Sequence, residues 1–126
     1  MDIFAPLKIG SVEIPNRLIM APVKTGYGTL DGEVTYLHQA YYRRRAEGEV
    51  GGIIVEPLYV DIAGKEHPRQ LGISSFNHIR GLAQLVDTIH KNGVIAIAHL
   101  NHAGRVANPE VSGMMPEAPS EIACFN

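Results

Sequence analysis

Three ionisable side chains follow closely on three apolar runs. Lys24 comes just after Leu18-Ile19-Met20-Ala21, Glu56 follows Gly52-Ile53-Ile54-Val55, and His99 follows Val94-Ile95-Ala96-Ile97-Ala98. Runs this rich in β-branched residues, without polar alternation, suit strands covered on both faces, as in parallel sheets. Ligands in parallel α/β architectures gather beyond the carboxyl ends of the strands. Adjacent strands would bring an amine, a carboxylate and an imidazole to one rim, a set able to bind a polar ligand and hold a proton. Polar residues end the strands of any α/β protein, so convergence alone names no ligand.

Other chemistries find less support. His99 and His102 are three apart, a spacing that chelates well on a helix, but this pair falls at a strand end. Neither HExxH nor a CxxC pair occurs, so no metal site is expected and hydrogen-bonded histidines are the plain reading. Gly26-Tyr27-Gly28 and Gly51-Gly52 read as tight turns, since neither opens a helix in a GxGxxG or Walker pattern. Lys24 as a Schiff-base amine would need burial and a carbonyl-binding partner that the sequence does not display. Cys124 has Glu121 nearby but no evident base.

The elements that must position these residues follow from periodicity. Ile79, Leu82, Ala83, Val86 and Ile89 mark one face of a helix, with Ser74, Ser75 or Asn77 as its N-cap and Asn92-Gly93 as its stop. Thr35 is placed to cap a second helix, from about Tyr36 to Glu47, with Leu37, Ala40 and Tyr41 facing inward. Arg43, Arg44 and Arg45 end that helix, where the macrodipole favours cations, and read as a solvated end rather than a basic patch. The order β-α-β-α-β calls for right-handed crossovers and a parallel sheet. Before it, Gly10-Ser11 reads as a two-residue hairpin turn between Leu7-Lys8-Ile9 and Val12-Glu13-Ile14. After it, residues 99–126 carry three prolines and Gly113 and read as a long irregular loop.

With 126 residues, the chain is sized for one domain. At 45% apolar and 19% charged residues a packed core is feasible, and a net charge of −2 with both signs interspersed leaves no footprint for nucleic acid or an anionic membrane. The lone cysteine and an N-terminus without a basic-then-apolar leader point to the cytoplasm. Three parallel strands with two helices leave both sheet edges unpaired, so the chain reads as part of a larger fold, completed by self-association or by a second chain.

Three stretches carry a resemblance. Leu7-Lys8-Ile9-Gly10 with Pro15-Asn16-Arg17-Leu18-Ile19-Met20-Ala21-Pro22, then Gly52-Ile53-Ile54-Val55-Glu56, then His99-Leu100-Asn101-His102-Ala103-Gly104-Arg105 resemble the old yellow enzyme family of FMN-dependent oxidoreductases. The branch that looks most similar contains bacterial 2,4-dienoyl-CoA reductases and trimethylamine dehydrogenase, and the likeness runs from about Phe4 to Ser120. It implies an α/β fold, the N-terminal portion of a TIM barrel comprising about three β/α units, with an N-terminal β-hairpin and FMN at the C-terminal mouth. Ala21, Pro22 and Val23 would lie along the flavin. Lys24 would stand near its N5/C4-carbonyl edge, where relatives often carry Thr, Cys or Gly. Glu56 or Pro57 would occupy a position that is usually small and packed on the isoalloxazine. His99 would replace the glutamine that hydrogen-bonds the pyrimidine side. Gly104 would serve a turn, with Arg105 bracing the loop.

The family passes hydride from NAD(P)H through FMN to an activated alkene. Its anchoring His-x-x-His/Asn pair, proton-donating Tyr, later-strand arginine, phosphate loops and cluster cysteines have no counterpart here, so no catalytic residue is assigned. The resemblance thus implies an N-terminal segment of a flavin oxidoreductase, incomplete on its own. The alternative is a non-catalytic barrel fragment or assembly module that binds no flavin.

Overall fold

The computed structural model describes residues 2–122 and Cys124. The expectation for residues 99–126 therefore reaches past what is described. Strands β1 (Leu7–Ile9) and β2 (Val12–Ile14) form an antiparallel hairpin, with Leu7 opposite Ile14 and Ile9 opposite Val12. The turn rests on Gly10 at φ +59°, a conformation that costs glycine little because it lacks a Cβ.

The central sheet holds β3 (Ile19–Met20), β4 (Gly52–Ile54) and β6 (Ile95–Ile97), all parallel and neighbouring in chain order. Helix α1 (Tyr36–Ala46) connects the first pair and α2 (Phe76–His90) the second. Register aligns Met20, Ile53 and Ala96 on one face, which packs with Val55 against the helices. Tyr42, Ala46, Leu85 and Ile89 supply the helix side of that core. Ile53, Leu85 and Ile89 are fully enclosed, each worth roughly 1.5–3 kcal/mol of burial. Ile19, Ile95, Ile54 and Ile97 share the opposite face and stay partly open. The ladder resumes beyond a break, where β5 (Leu58–Tyr59) pairs in parallel with β7 (Leu100–Asn101). Pro57 cannot donate to a ladder, and the interruption falls at this residue.

Helix α1 buries a face other than the expected one. His38, Tyr42 and Ala46 point inward, while Leu37 and Ala40 are exposed; of the expected face only Tyr41 packs against the core, half-buried beneath the Arg45 guanidinium, 3.6 Å from its ring centre. Hydropathy favours leucine over histidine, yet His38 is buried because all its polar atoms find partners. In α2, Leu82, Leu85 and Ile89 turn toward the core, as their period implies, and Val86 is half-buried, but Ile79 and Ala83 are exposed, since no described element packs on that side. Ser75 is the α2 N-cap, and Gly93 at φ +72° ends its terminal turn. The stretch expected to be an irregular tail holds β7 and a short helix α3 (Pro109–Ser112) capped by Asn108. Among the described residues no helix is long and apolar enough to cross a membrane.

Two loops above the sheet are stitched together. Gly28 N–H donates to Arg69 O (3.2 Å) and Arg69 Nη1 to Gly28 O (3.1 Å), while Gly72 N–H donates to Gly32 O (2.9 Å). Lys65, 2% exposed, donates from Nζ to Leu30 O at 2.6 Å. Tyr59 Oη and His78 Nε2 both donate to Asp31 O at 2.9 Å. A Cβ at Gly72 would collide with the Tyr59 and His78 rings, whereas one at Gly93 would meet open space. Gly93→Ala should therefore cost only the left-handed backbone penalty, about 1–2 kcal/mol. Gly72→Ala should cost visibly more, and urea unfolding of the two variants checks the order.

Candidate functional site: the rim at the strand carboxyl ends

The parallel register brings residues 21–25, 56–57 and 98–99 to the same end of the sheet. Of the segment along which the resemblance lays a flavin, Ala21 and Val23 are exposed and Pro22 is half-buried. Pro22 fixes φ and removes a donor, which makes this stretch a stiff, apolar wall. Lys24 is open to solvent but not loose: its Nζ lies 2.7 Å from Glu66 Oε1. Glu66 belongs to the loop after β5, and its own N–H donates to Gln70 Oε1 at 2.9 Å.

Glu56 does not face the open rim. Its side chain is 1% exposed and turns back toward α1. Thr25 N–H donates to Oε2 (3.2 Å), Thr25 Oγ1 donates to Oε1 (2.7 Å), and His38 Nε2 lies 3.2 Å from Oε1. The Glu56 N–H donates to Tyr42 Oη at 2.8 Å. Burial raises the Tyr42 phenol well above its ordinary value, while the hydrogen bond from the Glu56 amide acts in the opposite direction. His38 receives the Thr35 N–H at Nδ1 (3.1 Å), so its hydrogen must sit on Nε2. Of the residues placed at the site from sequence, Glu56 is thus the one that the structure withdraws behind the wall.

His99 occupies the position expected of it, at the end of β6. Its carbonyl accepts from Leu58 N–H at 2.8 Å, but its half-buried imidazole makes no hydrogen bond with the described residues, and Nδ1 is enclosed. Two further enclosed nitrogens lack partners, Asn101 Nδ2 and His67 Nε2. A buried polar atom without a partner costs about 1–3 kcal/mol, so its presence argues for a partner supplied from outside. An unpartnered imidazole at the end of β6, across β4 from a stiff apolar wall, suits a planar heterocycle with ring carbonyls and nitrogens. The residues present therefore fit FMN.

The His102-to-Arg105 stretch is tied into its neighbouring loops. His102 packs on Gly64, where a Cβ would strike its ring, Ala103 N–H donates to Gly64 O (3.0 Å), and Arg105 Nη1 donates to Ile122 O (3.1 Å). Gly104 takes φ +56°, the turn role expected of it.

Sequence reasoning missed His38, His78 and His67. The first two leave a readable signal. Thr35-x-x-His38 and Ser75-x-x-His78 are both capping boxes with histidine where Glu or Gln is usual. His67 leaves none, because only the fold brings it near Lys24 and Glu56.

A family model for the NADH:flavin oxidoreductase / NADH oxidase family matches residues 2–125. The chain belongs to this family. Among its relatives, the NADH:fumarate oxidoreductase of Klebsiella pneumoniae (strain 342) is 43% identical over 112 residues, 88% of this chain and 12% of the relative. The NADPH dehydrogenase of Halalkalibacterium halodurans is 38% identical over 122 residues, 96% of this chain and 35% of the relative. An old yellow enzyme homologue from Zymomonas mobilis superposes with a TM-score of 0.90 at 33% identity, covering 95% of this chain and 33% of that one. Morphinone reductase gives 0.89 at 33% identity, with 97% and 32% covered. The chain thus spans about a third or less of the length of the proteins it matches, and its fold is that of part of an old yellow enzyme TIM barrel.

His67 offers a test of this rim through pH. Burial holds its imidazole below the ordinary value of 6.5. Below that pH the unfolded chain takes up the proton that the folded chain resists, so His67 lowers stability as pH falls from 7 toward 5. His67→Asn should flatten that part of the stability profile, measured by urea titration at successive pH values.

Proposed function

We propose that the chain forms one side of the FMN-binding mouth of an NAD(P)H-dependent oxidoreductase acting on an activated alkene. The single observation that carries this reading is the unpartnered imidazole of His99 at the end of β6, at the same end of the sheet as the exposed Ala21–Pro22–Val23 wall and across β4 from it. Family membership supports the flavin, and the names NADH:fumarate oxidoreductase and NADPH dehydrogenase among the relatives support NAD(P)H as reductant.

When bound, FMN supplies the hydride chemistry that amino-acid side chains cannot. The chain's own residues then have separate tasks. Ala21, Pro22 and Val23 offer the ring system an apolar surface that excludes water from one side. His99 holds the pyrimidine edge through one ring nitrogen, donating or accepting one bond where an amide would make two. Lys24, tethered to Glu66, places a positive charge at the rim, and a cation there favours the electron-rich state of a neighbouring ring. Glu56 acts from behind the wall rather than by contact. No residue of this chain is assigned the final proton transfer.

The open Ile19, Ile54, Ile95 and Ile97 face and the exposed Ile79 side of α2 belong to this reading as well. We take them to be covered by further barrel units, on the same or a second polypeptide, with self-association of this chain as the outcome when no such units are supplied.

His99 is the direct test. His99→Gln should keep or tighten FMN binding, and His99→Ala should weaken it by about 1 kcal/mol, the net size of one hydrogen bond. Quenching of flavin fluorescence on titration reads both. Equal dissociation constants for the original, Gln and Ala forms would remove His99 from the site. Failure of every form to bind FMN would leave the assembly-module reading in its place.

A further inference from the structure

The wall at residues 21–25 carries few interactions of its own, yet it is the part of the rim that must be stiff. Its far end is fixed by a buried side chain that contributes nothing at the surface. Glu56 is fully enclosed, and three donors meet its two oxygens: Thr25 N–H, Thr25 Oγ1–H and His38 Nε2–H. The direction of each bond is settled by chemistry. An amide nitrogen can only donate. His38 cannot reverse, because its Nδ1 is committed to accepting the Thr35 N–H at the start of α1. Thr25 Oγ1 donates to Glu56 at 2.7 Å, while receiving the Tyr27 N–H at 3.3 Å and facing, also at 3.3 Å, the same His38 Nε2–H that meets Glu56.

The arrangement therefore requires two acceptor oxygens on one planar group. A glutamine offers one acceptor and two donors, and would set a donor against a donor somewhere in the cluster. A shorter aspartate would retract from Thr25 or from His38. Thr25 is also the residue next to Lys24, whose amine reaches Glu66 across the rim. Fixing the amide and hydroxyl of Thr25 together fixes the backbone from which Lys24 departs and the end of the segment begun by Ala21–Pro22–Val23.

We propose that Glu56 is a positioning residue: buttressed by His38 from α1, its carboxylate clamps both donors of Thr25 and so sets the flavin-facing turn and the place of Lys24. The flavin part of this statement rests on the function proposed above; the clamp itself does not. His38 has two roles that a variant can separate. Glutamine at the third helical position satisfies a capping box, so His38→Gln keeps the start of α1 while its short amide loses the reach to Glu56.

The test uses the full chain in its original, Glu56→Gln and His38→Gln forms, with three readouts. Nitrogen NMR of the original should show His38 protonated at Nε2 and bare at Nδ1. Amide exchange at Thr25 should speed up in both variants, while circular dichroism keeps the helix content. FMN titration should then show weaker binding in both variants, by roughly fivefold, the factor carried by one net hydrogen bond. If Glu56→Gln does not fold, His38→Gln carries the test alone. Unchanged Thr25 exchange and FMN affinity in a folded His38→Gln form would overturn the proposal, as would a His38 found protonated at Nδ1. If the original form binds no FMN, the functional reading fails. The clamp then stands or falls on Thr25 exchange: faster in both variants supports it, equal in all three overturns it.

Discussion

A carboxylate closed off from water must be satisfied entirely by the chain, and Glu56 meets that demand with donors from two separate segments. Leaving such a group unsatisfied would cost several kcal/mol, so the segments have little freedom to part. The loop after β3 is drawn down onto the end of β4, and the first turn of α1 is drawn over both. The neighbouring amide is spoken for as well, by Tyr42 from the middle of the same helix. The first β/α unit is thus tied to the second at the level where the strands end, and the open rim lies on the other side of that tie.

The same device recurs one unit later. His78 begins α2 as His38 begins α1, with Nδ1 receiving the N-cap amide and Nε2 left to donate inward. There the recipient is the Asp31 carbonyl instead of a carboxylate. Each helix start therefore does two things with one imidazole. It completes a capping box on its near side and anchors a neighbouring loop on its far side, as the fixed tautomer allows.

Much of this was legible beforehand, and what was not has identifiable causes. Continuous β-branched runs marked β3, β4 and β6 and their parallel sense, because burial on both faces removes polar alternation. Thr35 and Ser75 were visible as caps. The inward face of α1 was misjudged because hydropathy ranks Leu37 above His38, and only the fold reveals that every polar atom of His38 is matched. Lys24 and His99 could be placed at strand ends by counting residues. The inward turn of Glu56 could not, since it depends on Thr25, which lies 31 positions away. His67 was beyond reach for the same reason. The pairing of β5 with β7 went unseen because two-residue strands carry no period.

The stitching between residues 28–32 and 65–72 bears on how a ligand would arrive. Loops at a barrel mouth are often lids, ordered only when something binds, and the ordering then weakens the net affinity. Here the two loops hold each other through backbone bonds, the Arg69 guanidinium and the buried Lys65. They form a sill rather than a lid. A molecule entering across this side would meet two loops tied to each other by their own bonds.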